Sequence, residues 1–177
     1  NTKFHVGQLS RHVIAYAIFM LQEEGALSIE DDVREYLVEL PEYEHTVKIK
    51  HLLGQTSGFP DIYTLKLLLG WGETAPITRD DTYKIIQSVQ LMFEPGTDYQ
   101  YSDTDEILLD MIIEKVSGQN FESWMSENLF IPLGMSHTSF TKTVINDRNS
   151  SIPYIKEDEN WIIRDVIRPV NLYSSVA

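Results

Sequence analysis

The 177-residue chain contains no cysteine, so disulfides, thiolate nucleophiles and thiolate metal ligands are excluded. Basic residues are scarce as well, since 14 lysines and arginines stand against 27 aspartates and glutamates, which gives a formal net charge of −13. Phosphate backbones and anionic lipid surfaces attract clustered positive charge. The charge balance therefore argues against a nucleic-acid partner and against binding to an anionic membrane surface.

Long apolar runs are also missing. The longest extends from Val13 to Leu21, which is far short of the roughly 20 residues that a membrane-spanning helix needs. The five histidines show no His-x-x-x-His spacing beside a carboxylate motif. We therefore predict no metal site and no cofactor.

Helix signals dominate what the chain does contain. Apolar residues occur nearly all round the stretch from Leu9 to Glu24, which predicts a helix that is buried on most sides and ends at Gly25. A second long helix is predicted from Ile107 to Val116, closed by Gly118. Acidic residues just before it, including Glu106, suit the positive end of its dipole.

The C-terminal part of the sequence is less regular. Residues 141–160 are polar and aperiodic, which predicts a surface loop, and Trp161-Ile162-Ile163 predicts a strand. With no internal repeat and no linker, the chain is expected to form one mainly helical domain with a few short strands.

Six short blocks combine turn residues and apolar positions in a fixed order. They are Glu24-Gly25-Ala26-Leu27-Ser28-Ile29-Glu30-Asp31-Asp32-Val33; Ile49-Lys50-His51-Leu52-Leu53 with Thr56-Ser57-Gly58; Phe93-Glu94-Pro95-Gly96; Tyr99-Gln100-Tyr101-Ser102-Asp103; Ile112-Ile113-Glu114-Lys115-Val116-Ser117-Gly118; and Pro132-Leu133-Gly134-Met135. Together they resemble the serine β-lactamase and penicillin-binding-protein family, particularly its class C and esterase-like branch. The resemblance covers nearly the whole chain.

The resemblance implies an α+β fold of the β-lactamase/transpeptidase-like type, in which a helical subdomain and an antiparallel sheet enclose the site. We expect residues 1–177 to form a single β-lactamase-like domain that is mostly the helical subdomain with few short strands. We also expect it to be incomplete at both ends, without the first strands and without the late Lys-Thr-Gly-type strand. Family resemblance suggests a bacterial protein of the periplasm or the secreted fraction.

The family's first motif is Ser-x-x-Lys at the start of the central helix, where the serine attacks a carbonyl and the lysine acts as its base. This sequence has Gln8-Leu9-Ser10-Arg11 there. An amide is a poor nucleophile, and an arginine keeps its proton at physiological pH. Ser10 lies about 200° round the helix from Gln8, so it is not expected to replace the nucleophile.

The second motif, Tyr-x-Asn or Ser-x-Asn, lines the opposite wall of the family's site. Here it is Tyr101-Ser102-Asp103, which keeps the tyrosine and replaces the amide with a carboxylate. Arginine binds carboxylates through a planar fork, and an unpaired buried charge is costly. We therefore predict that Arg11 and Asp103 form an ion pair that plugs the former site.

Three hypotheses for function follow from these residues. The first is a degenerate family member, a pseudoenzyme with a binding or scaffold role toward a peptide, a cell-wall fragment or a β-lactam-like ligand. The second is an active serine hydrolase: a β-lactamase, a D-alanyl-D-alanine peptidase or an esterase. The third is a helical interaction module that associates with itself through an uncovered helical face.

Overall fold

The computed structural model describes Phe4, residues 6–72 and 78–140, Ser151 and residues 154–163. The α-helices in these ranges are α1 (Ser10–Glu23), α2 (Ile49–Leu53), α3 (Ile62–Leu68), α4 (Arg79–Gln87), α5 (Asp103–Ser117) and α6 (Phe121–Met125). Short 3-10 helices span Gly7–Leu9 and Val33–Glu35, and a π-helical turn spans Ser126–Phe130. Two strands, β1 (Tyr154–Glu157) and β2 (Asn160–Ile163), complete the described elements.

The expected mainly helical architecture with few short strands is confirmed, because the described part of the chain is helix-rich with only two short strands. The helix predicted over Leu9 to Glu24 is α1, and the one predicted over Ile107 to Val116 is α5, which starts four residues earlier. Gly118 closes α5 with a φ of +68°, in the left-handed conformation that glycine adopts readily.

The core is built where α1 and α5 pack against each other, with α2 and α6 against α5. The inward side chains of these two helices are Ile14, Ala17, Ile18, Leu21, Leu108, Leu109, Ile112 and Ile113, all of them buried. Their spacing of three and four residues places them on one face of each helix. This apolar seam fixes the distance between the N-terminus of α1 and the N-terminus of α5.

The expectation that α1 is buried on most sides is confirmed, because His12, Tyr16, Phe19 and Glu23 are its only exposed residues and they share one face. The exposed apolar residues of this face are Tyr16 and Phe19, opposite the side that packs on α5, and Leu9 in the 3-10 turn before α1 is exposed as well. Hydrophobic composition alone does not tell which side of a helix meets the core. The fold therefore presents an apolar outward stripe, defined as Leu9, Tyr16 and Phe19.

A docked loop, residues 54–60, holds the segment that leads into α5. The backbone N–H of Met92 donates to the Gly58 carbonyl at 2.8 Å, and that of Gly96 donates to the Thr56 carbonyl at 2.8 Å. The Gln55 side chain accepts a hydrogen bond from the N–H of Ser102 at 2.7 Å. These bonds satisfy backbone groups that would otherwise be left unpaired and place residue 101 beside α1.

A buried carboxyl group pins the docked loop to α5. The Ser57 hydroxyl donates to Asp105 Oδ1 at 2.5 Å, while Asp105 Oδ2 is buried without a hydrogen-bond partner. Burial raises the pKa of Asp105 well above its ordinary value of 3.8, although the Ser57 hydrogen bond and the charge of Arg11 oppose the shift. Asp105 therefore holds its proton more tightly in the folded chain than in the unfolded one.

The predicted strand Trp161-Ile162-Ile163 is confirmed as part of β2, which pairs antiparallel with β1. The predicted loop over residues 141–160 is wrong for Tyr154–Glu157, because these residues form β1. Residues 141–150 lie outside the described part. Three of the four β1 side chains are exposed, so the polar composition of this segment did not indicate a strand. The strand forms because its partner supplies the backbone hydrogen bonds.

We expect Gly58→Ala to destabilise the fold by about 2 kcal/mol or more. Gly58 has a φ of +83°, and an added Cβ would lie 2.4 Å from the Phe93 carbonyl oxygen, so the docked loop would have to move. Urea unfolding followed by circular dichroism measures the loss. Gly70→Ala is the matched control, since its φ is +80° but no atom lies within 4 Å of the added Cβ. Equal losses at both positions would contradict the steric explanation.

We expect Asp105→Asn to flatten the dependence of stability on pH. The folded chain binds the Asp105 proton more tightly, so native stability falls as pH rises from about 4 through the raised pKa, and is lowest above it. Asparagine does not titrate, so the variant loses this part of the dependence of stability on pH. Urea unfolding at a series of pH values measures it, with the exposed Asp98→Asn as control. An unchanged slope in Asp105→Asn would refute the assignment.

Candidate functional site

The site forms where the start of α1 faces the residues that begin α5. The 3-10 turn at Gly7–Leu9 precedes α1, with Gly7 at a φ of +53°, and presents Gln8 toward solvent. One turn later, Arg11 reaches across to α5. The structure brings together all four residues singled out from the motifs: Gln8, Arg11, Tyr101 and Asp103.

The Gln8 amide takes part in a short hydrogen-bond chain. Gln8 Nε2 donates to the Tyr101 hydroxyl oxygen at 2.6 Å, and the Tyr101 hydroxyl donates to Asp103 Oδ1. Burial, followed by the hydrogen bond to Asp103, raises the pKa of Tyr101 to about 12. The phenol is therefore protonated at neutral pH, so it can donate a hydrogen bond but does not act as a base there.

The Arg11 guanidinium contacts three groups at once. Its Nε donates to Glu106 Oε1, and its Nη2 lies 3.6 Å from Asp103 Oδ1. Its Cζ lies 4.1 Å from the centroid of the Tyr101 ring, within the range of a cation–π contact. The predicted ion pair between Arg11 and Asp103 is confirmed, but the hydrogen-bonded partner of Arg11 is Glu106.

Glu106 is the site residue that sequence reasoning missed. Its position in the first turn of α5 was explained by the helix dipole, which accounts for its charge but not for its contact with Arg11. Asp103 and Glu106 are three residues apart, so they share one face of α5. The sequence contains this three-residue spacing, but only the packing of α1 against α5 shows that both carboxylates face Arg11.

The cluster around Arg11 carries one positive charge and two carboxylates, and all three side chains are largely buried. Asp105 adds a third carboxyl group nearby, and the charge of Arg11 lowers its otherwise raised pKa. Because the carboxylates of Asp103 and Glu106 already surround the guanidinium, its planar fork is not open to the carboxylate of a ligand.

Ser10 does not supply a substitute nucleophile. Its side chain is buried, and its hydroxyl donates to the Gly7 carbonyl oxygen inside the N-terminal turn. Ser102, on the other wall, is also buried. Neither serine hydroxyl is accessible to a substrate carbonyl, which an attacking oxygen must approach to about 3–3.5 Å.

Within the described ranges, no group of three or more histidine, aspartate or glutamate side chains has the geometry to hold a metal ion. Nor does any helix in those ranges have the length and apolar content needed to cross a membrane. His51, in α2, accepts a hydrogen bond from the Lys48 backbone N–H at 3.2 Å.

Comparison with known proteins places the chain in context. It is 35% identical over 140 residues to penicillin-binding protein 4* of Bacillus subtilis, a match that covers 78% of this chain and 30% of that protein. It is 34% identical over 162 residues to the putative penicillin-binding protein PbpX of Bacillus subtilis, covering 91% of this chain and 39% of that protein. The chain thus spans about a third of the length of these relatives.

Solved structures show the same relation. The octameric penicillin-binding protein homologue from Pyrococcus abyssi matches 99% of this chain and 42% of its own, with a TM-score of 0.82 and 27% identity. A class C β-lactamase matches with a TM-score of 0.75 at 23% identity, which shows a shared fold. The family model described as Beta-lactamase matches residues 1–176. With this match over nearly its whole length, the chain belongs to the β-lactamase family.

Proposed function

We propose that this chain is a non-catalytic member of the β-lactamase family with a binding or scaffold role. The single observation that carries the proposal is the state of Arg11, whose guanidinium is held between Glu106 and Asp103 over the ring of Tyr101. This group fills the position where the family resemblance places the lysine base.

Proton transfer fails at this position for two reasons. An arginine side chain does not lose its proton in the physiological range. In addition, the guanidinium is engaged by the two carboxylates of Asp103 and Glu106, so it is not directed at a nucleophile. The cluster is therefore suited to holding α1 and α5 together and not to activating a nucleophile.

Nucleophilic attack fails as well, because the position of the serine holds an amide. The Gln8 Nε2 group donates a hydrogen bond to the Tyr101 hydroxyl oxygen, and the amide has no readily ionisable group that a base could activate. Loss of the attacking oxygen and loss of the base occur together, so restoring one of them alone would not restore acyl transfer.

The accessible part of the site suits an uncharged ligand. Gln8 is exposed and Tyr101 is partly exposed, while the charged groups behind them are paired with one another. An amide and a phenol form hydrogen bonds with peptide groups, whereas a ligand carboxylate would meet a cluster of net negative charge. We therefore favour a peptide or the peptide part of a cell-wall fragment over an anionic β-lactam-like ligand.

The non-catalytic proposal predicts that β-lactams leave the chain unmodified. The chain is incubated with a chromogenic cephalosporin and with benzylpenicillin, then examined for colour change and by intact-mass spectrometry. We expect no turnover above the rate of the buffer and no added mass. A penicillin-binding protein with an intact Ser-x-x-Lys motif is the positive control. Covalent acylation at any residue would sink the proposal and favour an active serine hydrolase.

A second candidate function, an interaction module, is supported by the outward stripe on α1. Leu9 is 60% exposed, Tyr16 55% and Phe19 45%, so the outward face of α1 and of the turn before it carries three large apolar side chains, with the exposed His12 between Leu9 and Tyr16. Exposed apolar surface is typical of interaction sites. A second copy of the chain offers the same stripe, which allows two helices to pair face to face.

We expect the chain to self-associate through this stripe. Light scattering coupled to size-exclusion chromatography should show a molar mass that rises with loading concentration. Tyr16→Glu should abolish the rise, because a buried unpaired carboxylate is costly in an apolar interface. Val38→Glu, at a residue that is 68% exposed and lies off α1, is the matched control and should leave the rise intact. A constant monomer mass at all concentrations would rule this candidate out.

A further inference from the structure

Glu106 contacts the arginine that occupies the base position, and no motif assigned it a role. We propose that Glu106 bars general-base chemistry at position 11 independently of the arginine: its carboxylate would hold any amine placed there in the charged form. The proposal rests on the non-catalytic function proposed above and adds a second residue, beside Arg11, that enforces it.

Covalent geometry supports this assignment. Arginine and lysine have the same side-chain atoms as far as Cδ, so a lysine at position 11 in the same conformation places Cε where Arg11 has Nε and Nζ where Arg11 has Cζ. Arg11 Nε is the atom in contact with Glu106 Oε1. The lysine nitrogen would therefore lie one bond beyond that contact, close enough to donate to the same carboxylate.

The surroundings give Glu106 a stronger effect than Asp103. The Glu106 side chain is only 6% exposed, so water screens its charge little. Asp103 Oδ1 lies 3.6 Å from Arg11 Nη2 and also accepts a hydrogen bond from the Tyr101 hydroxyl. The negative charge of Asp103 is therefore already partly balanced. The third facing carboxyl, Asp105, has a raised pKa through burial and carries less negative charge at a given pH.

The experiment measures the ionisation of an introduced amine. The Arg11→Lys variant is prepared with lysine labelled with carbon-13 at Cε, and the amine is titrated by NMR. Arg11→Lys/Glu106→Gln, Arg11→Lys/Asp103→Asn and Arg11→Lys/Glu23→Gln are titrated in the same way. Glu23, exposed at the far end of α1, is the matched control. Thermal unfolding of each variant checks that the fold is retained.

We expect Glu106→Gln to raise the neutral fraction of the amine at a fixed pH by about tenfold or more, as removal of a close opposite charge does. Asp103→Asn should give a smaller rise, and Glu23→Gln none. An unchanged titration in the Glu106→Gln variant, or a larger effect from Asp103→Asn, would overturn the proposal. Should the glutamine variant unfold, Glu106→Leu removes the charge with a side chain suited to burial and is judged by the same result.

Failure of this proposal and failure of the proposed function are distinguishable. The titration needs no substrate and no acyl transfer. If Glu106→Gln left the amine titration unchanged, the proposed role of Glu106 would be refuted, whether or not the unmodified chain reacts with β-lactams. Conversely, acylation of the unmodified chain would end the non-catalytic proposal whatever the titration showed.

Discussion

The structure depends on one largely buried ion cluster that joins the starts of its two long helices. Arg11 on α1 meets Asp103 and Glu106 on α5, and each of the three side chains is mostly shielded from water. Charges in such a place are costly to desolvate, and their attraction repays the cost only when the geometry is good. The cluster is therefore maintained by the packing around it as much as by its own attraction.

That packing is supplied by the apolar seam between α1 and α5. Ile14 and Ile18 of α1 lie in the same buried cluster as Leu108 and Ile112 of α5, and this seam sets where the helix N-termini stand. The docked loop then fixes the approach to α5 through hydrogen bonds to Gly58 and neighbouring residues. The polar site is thus positioned by apolar and backbone contacts outside it.

The combination has a functional meaning. In a site meant for acyl transfer, a nucleophile must be exposed and its base must be able to take a proton. Here the exposed group is the Gln8 amide and the residue at the base position is a paired guanidinium, which supports the proposal that this surface binds a ligand through hydrogen bonds. The second proposal, self-association, rests on the exposed apolar side chains of the outward stripe.

Sequence reasoning went furthest where the signal was local. Helix periodicity, the Gly118 stop and the motif positions gave both long helices, the fold class and four residues of the site, because these features depend on neighbours within a turn or two. The pairing of Arg11 with Asp103 was also within reach, since an arginine and a carboxylate replacing two facing groups are expected to meet.

What only the tertiary structure decided was which faces meet. The sequence could not show that the outward stripe of α1 lies away from the core, that Tyr154–Glu157 would find a partner strand, or that Glu106 faces Arg11 across the crossing of two helices. Each of these depends on contacts between residues far apart in the chain. Local periodicity determines that a helix or strand has an apolar or charged face, and three-dimensional packing determines what that face touches.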